Sequence, residues 1–210
     1  MEPKPNNPPI PAAQVTSTSG QTCGPKCHGL RKRDPVKLQA PKISRSTKQV
    51  SPELLVIMQR LACGLSPWPL FLYGPSGTGK TCGSLLFSDI VIGSMYYSID
   101  DVIRAEMLSD YSDDSRIEKA QVWRNIKYSS LLIIDDIGER DKIGDLYTSV
   151  LKRILDLREV EQYGRAIYIS NQSPAELGKL MADRIMSRMM RGTKYLLDGS
   201  DRRAEQGGGQ

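Results

Sequence analysis

Short apolar runs alternate with segments of helical periodicity from Ser51 to about residue 197. The first helical segment places apolar residues three and four positions apart: Leu54, Leu55, Met58 and Leu61. Ser51-Pro52 before it is typical of an N-cap followed by a first helical residue, and Gly64 after it is typical of a helix end. The pattern therefore predicts a helix between Ser51 and Gly64.

Five apolar runs farther along predict β-strands, over residues 69–73, 95–99, 131–134, 166–170 and 194–197. The run at 131–134, LLII, has no polar position, which is typical of a strand buried on both faces of a parallel sheet. Helices are predicted between the strands: one up to about residue 92, one capped by Asp100 or Asp101, one over 116–127, one over 143–160 and one opened by the capping box Ser173-Pro174-Ala175-Glu176. This alternation predicts an α/β fold in which helices cover both faces of a parallel sheet.

Residues 1–50 show no such periodicity and differ from the rest in composition. They contain eight of the 13 prolines, and nine Lys and Arg against two acidic residues, a net charge of +7. Because the whole chain carries +5, the remaining residues carry −2. A segment with so few apolar residues buries too little surface to offset the entropy of ordering. We therefore predict a disordered, Pro-rich basic tail over 1–50, a folded core over 51–203 and a flexible C-terminal tail over 204–210.

Several classes of protein are excluded by composition. The sequence has no run of 18 apolar residues that would predict a membrane span, and residues 1–14 lack the apolar stretch of a secretory signal. Four cysteines in 210 residues are too few for a disulfide-stapled secreted scaffold, so a cytoplasmic location is expected. Cys23, Cys27 and His28 are three potential zinc ligands, but a closed structural site needs four, which favours free residues.

The strongest chemical signal is the octapeptide Gly74-Pro75-Ser76-Gly77-Thr78-Gly79-Lys80-Thr81, which fits the phosphate-loop pattern G-x-x-x-x-G-K-[ST]. Glycines allow the backbone amides to turn towards phosphate oxygens, and the following helix adds its positive N-terminal end. In this pattern Lys80 contacts the β- and γ-phosphates of ATP, and the Thr81 hydroxyl is a ligand of Mg²⁺. The alternative, a chance glycine-rich turn, is disfavoured by the predicted strand before the loop and the predicted helix after it.

Polar residues follow two of the predicted strands. A buried strand that ends at Asp135 places this carboxylate at the edge of the sheet where ligands bind, and there it can hold Mg²⁺ directly or through water. Asp136 is then available to orient or deprotonate the water that attacks the γ-phosphate. Asn171 can help to fix that water if its strand lies between the first and the third. The alternative is that these three residues only cap helices or form turns.

The segment 183–191, DRIMSRMMR, places Arg184 and Arg188 four residues apart on one side of a helix, with Arg191 three residues farther on. One interpretation is an arginine finger that reaches the γ-phosphate bound by a neighbouring subunit, which requires a homo-oligomer. The other interpretation is an amphipathic helix with a solvated basic face.

Together, the segments GPSGTGKT, LLIIDDIGE, ISNQSPAEL, DRIMSRM and YLLDGSDRR resemble the AAA+ ATPases of the DnaC/IstB type, which are replicative helicase loaders and ATP-binding helpers of insertion-sequence transposases. The resemblance extends from about Ser51 to Arg203. It implies an AAA+ P-loop NTPase fold of the ASCE type, a three-layer sandwich with a central five-stranded parallel sheet and no C-terminal lid domain. It also implies that residues 74–81 are the Walker A motif and that Asp135 and Asp136 are the Walker B motif.

The same resemblance assigns Asn171 as sensor 1 and Arg188, with Arg184 a turn before it, as the arginine that acts in trans. It implies an ATPase that acts with Mg²⁺ on single-stranded or duplex DNA, with a helicase or a transposase as partner. Helicase loaders of this type carry a folded N-terminal domain, whereas about 50 Pro-rich residues precede the core here. The tail is therefore a candidate docking peptide or a basic arm that binds nucleic acid.

Family members also bind DNA through the insertion after the second strand. Here that stretch contains basic and aromatic residues interspersed with acidic ones: Arg104, Tyr111, Arg116, Lys119, Trp123, Arg124, Lys127 and Tyr128. Trp123 lies at core-like spacing with Ala120 and Ile126, which favours packing over stacking on a base.

Two further functions are compatible with the residues. One is a small-molecule P-loop kinase, although no arginine-rich lid follows the core. The other is a nucleotide-dependent interaction module in which ATP binding holds an oligomer together with little hydrolysis.

Overall fold

The structure, a computed structural model, describes residues 50–108, 111–139, 143–159 and 164–199. Apart from Val50, the predicted tails over 1–50 and 204–210 lie outside these residues, as do Cys23, Cys27 and His28. Within the described ranges, no helix is long and apolar enough to cross a membrane.

Helices and strands alternate through the described part of the chain. The helices are α1 (Pro52–Ala62), α2 (Lys80–Ile90), α3 (Ile99–Met107), α4 (Asp113–Tyr128), α5 (Asp145–Arg158), α6 (Pro174–Leu180) and α7 (Asp183–Met189). The strands are β1 (Leu70–Tyr73), β2 (Ser94–Ser98), β3 (Leu131–Asp135), β4 (Ala166–Ser170) and β5 (Thr193–Leu196). Each predicted strand is confirmed to within one or two residues at its ends.

The five strands form one parallel sheet in the order β2-β3-β4-β1-β5. This confirms the predicted α/β fold around a five-stranded parallel sheet. Strand β4 lies between β1 and β3. Asn171, which follows β4, therefore lies between the residues that follow β1 and those that follow β3. All carboxyl ends of the strands meet at one edge of the sheet, here called the carboxyl edge, and all amino ends meet at the opposite amino edge.

The core consists of two layers, one on each face of the sheet, because successive strand residues point to opposite faces. Leu70, Leu72, Leu131 and Ile133 pack on the face covered by α1 and α2. Phe71, Leu132 and Ile134 pack on the other face, against residues of α3 to α7. Burial of each such side chain contributes about 1.5–3 kcal/mol to the stability of the fold, so both layers stabilise the sheet.

Three details differ from the sequence-based expectation. Helix α3 is capped by Ser98, whose hydroxyl accepts a hydrogen bond from the Asp101 amide while the Asp101 carboxylate accepts one from the Ser98 amide. The prediction that Asp100 or Asp101 is the cap is therefore wrong, because strand β2 leads directly into the helix and its last residue, Ser98, is the cap. Two apolar residues of the helices predicted over 116–127 and 143–160, Ile117 and Leu146, do not belong to a buried face and are 67% and 42% exposed.

Candidate nucleotide-binding site

The segment between β1 and α2 is a tight loop at the carboxyl edge. Gly79 is the N-cap of α2 with φ 97°, a left-handed conformation that favours glycine. Gly74 has φ 141°, and a Cβ at this position would lie 2.2 Å from the Leu197 carbonyl oxygen. The loop therefore needs glycine at both ends, and a sharp turn delivers the chain into the helix N-terminus, where anions bind.

Lys80 lies under this loop and is 5% exposed. Its Nζ donates hydrogen bonds to the carbonyl oxygens of Gly74 and Pro75, each at 2.7 Å. The Thr78 hydroxyl donates to the Pro75 oxygen at 2.9 Å. The ammonium is thus held against the loop, at the mouth where a phosphate group would meet the positive end of α2.

Asp135 is the last residue of β3 and is 3% exposed. Its Oδ2 accepts hydrogen bonds from the Thr81 hydroxyl at 2.7 Å and from the Tyr96 hydroxyl at 2.9 Å. Its Oδ1 accepts from the Asp136 amide at 2.9 Å. The fold therefore brings together the two residues predicted to be metal ligands, which are 54 positions apart in the sequence.

Thr81 and Asp135 fit Mg²⁺ by chemistry and position. Mg²⁺ in phosphate-transferring proteins takes one or two protein oxygens and completes its shell with phosphate oxygens and water. The described residues contain no group of three or more His, Cys, Asp and Glu side chains that could hold a metal alone. A hydroxyl and a carboxylate in contact beside a phosphate loop are the donors that such a nucleotide-dependent site needs.

Tyr96 remains a hydrogen-bond donor to Asp135. Burial raises the pKa of its phenol far above the usual value, and the charge of Asp135 acts in the same direction. The hydroxyl therefore stays protonated, and its proton points to the carboxylate.

Asp136 follows in the turn at the carboxyl edge. Among the described residues other than glycine it alone has a positive φ, 62°. Burial raises the pKa of its carboxyl to about 7, and the charges of Asp135, Glu139 and Asp100 act in the same direction. An acid whose pKa lies near neutrality is suited to accept a proton from water.

The Asn171 amide donates a hydrogen bond to the Glu139 carboxylate, so the residue after β4 contacts the turn after β3. The Ser170 hydroxyl donates to the Ile137 carbonyl oxygen at 2.6 Å, and the Gly138 amide donates to the Tyr147 hydroxyl at 2.8 Å. These bonds fix the turn that carries Asp136. The structure thereby places Asp135, Asp136 and Asn171 on neighbouring strand ends.

The arginines of α7 lie apart from this cluster. Arg188 Nε donates to Glu159 and Nη2 to Asp156, each at 2.7 Å, and its side chain is 12% exposed. It lines a cavity of about 200 Å³ together with Trp68 and Gly164, which precede β1 and β4 and mark the amino edge. The length of a four-residue strand, about 13 Å, separates this edge from the phosphate loop. Arg184 is exposed.

The candidate DNA-contacting stretch contains basic residues with acidic partners, a buried tryptophan and exposed residues of α4. Arg104 and Arg116 form ion pairs with Asp101 and Asp113, and Lys119 lies 3.9 Å from Glu106. Trp123 is 7% exposed, donates to Glu106 and has the Arg153 guanidinium 3.8 Å from its ring centroid, which agrees with the packing interpretation. On α4, Arg124 and Tyr128 are exposed one turn apart, and Lys127 lies 5.0 Å from the Tyr128 ring.

Sequence reasoning missed four residues that support the site: Tyr96, Glu139, Tyr147 and Ser170. Tyr96 and Tyr147 occur at apolar positions of their elements and carry no signal that their hydroxyls contact the site. Ser170 and Glu139 adjoin residues that the motifs single out, so proximity to the strand ends is the signal that could have found them.

No protein-family model and no curated protein sequence matches the chain. Solved structures do match it. DnaI gives a TM-score of 0.58 at 20% identity, covering 72% of this chain and 88% of that chain. The DnaC helicase loader gives a TM-score of 0.53 at 17% identity, covering 75% and 94%. Replication initiator DnaA bound to AMPPCP and single-stranded DNA gives a TM-score of 0.57 at 19% identity, covering 74% and 51%.

The chain spans about half of the replication-initiation proteins that it matches, 44%, 47% and 51% of three such chains. Likeness at these identities concerns the fold. The sheet order and the position of the phosphate loop agree with it, and the expected structural similarity to DnaC-type proteins is confirmed at the level of the fold. The chain therefore has the AAA+ P-loop NTPase fold that these replication proteins share.

Proposed function

We propose that the protein is a Mg²⁺-dependent ATPase of the DnaC/IstB type. The observation that carries this proposal is the contact between Thr81 and Asp135 directly behind the phosphate loop. A loop amide cradle, a buried lysine and a hydroxyl–carboxylate pair are the parts that bind a nucleoside triphosphate with its metal. That DnaA is solved with AMPPCP supports nucleotide binding on this fold.

ATP binding replaces contacts within the loop by contacts to phosphate. Lys80 exchanges its two neutral carbonyl acceptors for charged phosphate oxygens, which form stronger hydrogen bonds. Thr81 and Asp135 would hold Mg²⁺, which would neutralise part of the charge on the phosphates.

Hydrolysis then depends on the residues after β3 and β4. Asp136 orients the attacking water and accepts its proton, and the polar contact of Asn171 with Glu139 positions the asparagine beside the same water. Both groups lie on strand ends that are cross-linked by Ser170, so their separation is fixed.

The arginine finger acts between subunits. Arg188 belongs to the amino edge, out of reach of the phosphate loop in its own subunit, so a second copy must supply the arginine of a complete site. In the single chain Arg188 is held by Asp156 and Glu159. Assembly with ATP must exchange these carboxylates for the γ-phosphate, and Arg184 on the same helix is exposed and available to assist.

DNA is the proposed substrate of the assembled protein, and a helicase or a transposase is the proposed partner. The solved DnaA with single-stranded DNA and the DnaC helicase loader support this assignment by fold. On this chain, the exposed face of α4 around Arg124, Lys127 and Tyr128 offers positive charge and an aromatic ring, the two groups that bind single strands.

A nucleotide-dependent interaction module with little turnover is the second candidate. The double ion pair of Arg188 favours it, because turnover requires both carboxylates to release the arginine whereas binding does not.

Phosphate release from Mg²⁺-ATP, with and without single-stranded and duplex DNA, combined with mass by light scattering, tests the proposal. We expect an ATP-dependent oligomer whose phosphate release rises with DNA. Lys80→Ala should abolish nucleotide binding, while Lys152→Ala, which changes an exposed lysine of α5, should leave it intact.

Other outcomes identify other functions. ATP-dependent assembly without turnover would favour the interaction module, and phosphate transferred to an added acceptor would favour a kinase. Nucleotide binding by Lys80→Ala at the wild-type affinity would contradict the phosphate-loop assignment.

A further inference from the structure

The neighbouring strand β2 contributes a side chain to the Asp135 carboxylate. Tyr96 pairs in register with Ile133, so it stands on the same face of the sheet as Asp135, two residues back along the adjacent strand. The length of the phenol closes this gap, and its hydroxyl reaches Asp135 Oδ2 at 2.9 Å. Tyr96 is 5% exposed, so water does not compete for this hydrogen bond.

Three donors fix the carboxylate of Asp135. The Thr81 hydroxyl and the Tyr96 hydroxyl both donate to Oδ2, and the Asp136 amide donates to Oδ1. Thr81 is itself a proposed metal ligand, and the amide contact is local to the turn. Tyr96 is thus the one of these three donors that belongs neither to the phosphate loop nor to the turn after β3.

We propose that Tyr96 is a positioning residue for the metal site, because its hydroxyl holds the Asp135 carboxylate in the orientation that receives the divalent cation. The proposal rests on the Mg²⁺-ATP site proposed above and adds to it a contribution of β2. Partners that orient metal ligands in this way typically change metal affinity by about 10- to 100-fold when they are removed.

The next residue on the same strand offers a matched control. Tyr97 is 6% exposed, and its hydroxyl accepts a hydrogen bond from Asn125 at 3.0 Å on the opposite face. Tyr97→Phe and Tyr96→Phe therefore remove the same atom from the same strand at equal burial. They differ in whether that atom contacts Asp135.

The experiment measures Mn²⁺ affinity by electron paramagnetic resonance on the full chain saturated with AMPPCP. Tyr96→Phe should bind Mn²⁺ about tenfold more weakly than the wild type, and Tyr97→Phe should match the wild type. Metal-free affinity for the nucleotide, measured with EDTA present, should be equal in all three proteins because the Tyr96 hydroxyl donates its hydrogen bond to Asp135 and not to the loop. Circular dichroism and urea unfolding verify that each variant is folded.

Equal Mn²⁺ affinity in Tyr96→Phe and the wild type would overturn the proposal. An equal loss in Tyr97→Phe would also overturn it, since the effect would then come from any lost hydroxyl on β2. A wild-type chain that binds no Mn²⁺ with the nucleotide would instead reject the Mg²⁺-ATP site itself, and the role of Tyr96 with it.

Discussion

Asp136 combines an unfavourable backbone conformation with an unfavourable charge. Its φ of 62° lies in the left-handed region, and the carboxylates of Asp135, Glu139 and Asp100 surround it. Both costs are tolerated because the turn is held by hydrogen bonds from Ser170 and to Tyr147. Strain of this kind concentrates at functional sites, and here it occurs at the residue that directly follows the proposed metal ligand Asp135.

The raised pKa of Asp136, about 7, predicts a pH-dependent stability. The folded state binds the proton more tightly than the unfolded state, so stability is lost as the pH rises from about 4 through 7. Asp136→Asn should therefore stabilise the nucleotide-free protein by about 1–2 kcal/mol more at pH 8 than at pH 5, less than the full shift gives because the side chain is partly exposed. Urea unfolding at the two pH values, without nucleotide or Mg²⁺, measures this difference.

The control is Asp114→Asn, which removes an exposed carboxylate of α4. It should change stability equally at pH 5 and pH 8. The same result for Asp136→Asn would contradict the raised pKa.

At the scale of elements, Arg158 joins the end of α5 to two other elements. It is 3% exposed, and its Nη1 donates to the carbonyl oxygens of Ile126 and Ser129 while Nη2 donates to that of Arg165. Burial lowers the pKa of its guanidinium to about 10, which leaves it charged at neutral pH. One side chain thus satisfies the carbonyls where α4 ends and β4 begins.

Arg158→Met should destabilise the fold by about 3 kcal/mol, because buried carbonyl oxygens lose their donors. Arg153→Met, on the same helix, should cost less than about 1 kcal/mol because this arginine is half exposed and its main contacts are Trp123 and Glu106. Chemical denaturation measures both. Equal losses would mean that the carbonyl contacts of Arg158 contribute nothing specific.

Elements were predictable where the signal is local. Continuous apolar runs identify strands such as β3 because both faces of the sheet are covered, and Ser51 caps α1 with a hydrogen bond from the Leu54 amide, as predicted. The contact of Tyr96 with Asp135 was not predictable, since it depends on the register between two strands. The cap of α3 was misplaced for a related reason: the exact end of β2 decides whether Ser98 or an aspartate precedes the helix.

At the scale of the whole folded core, the two halves of the proposed catalytic site lie at opposite edges of one sheet. The phosphate loop, Asp135 and Asp136 belong to the carboxyl edge, and Arg188 belongs to the amino edge. A subunit built in this way completes its site only by head-to-tail contact, which generates rings or helical filaments.

The net charge is unevenly distributed along the chain, with +7 on residues 1–50 and −2 on the rest. Deletion of residues 1–45 removes eight of the nine basic residues of the tail. It should weaken DNA binding and flatten its dependence on salt, because fewer counterions are released, while ATP affinity is unchanged. DNA titrations at several salt concentrations measure the slope. Loss of ATP binding would contradict a separable role for the tail.

If ATP bound by one subunit is hydrolysed with an arginine from its neighbour, two variants that each lack a different half of the site should complement each other. Lys80→Ala and Arg188→Ala should each lack DNA-stimulated phosphate release. The first cannot bind the nucleotide, and the second cannot supply the arginine to its neighbour. Arg191→Ala should remain active, since the Arg191 side chain is 59% exposed and its ion pair with Glu159 is long, at 3.7 Å.

An equal mixture of Lys80→Ala and Arg188→Ala subunits should recover about a quarter of the wild-type rate, because half of the ATP-binding subunits acquire a neighbour with an intact arginine. A mixture that stays as inactive as its components, or an Arg188→Ala protein that hydrolyses ATP at the wild-type rate, would contradict hydrolysis with a neighbour's arginine.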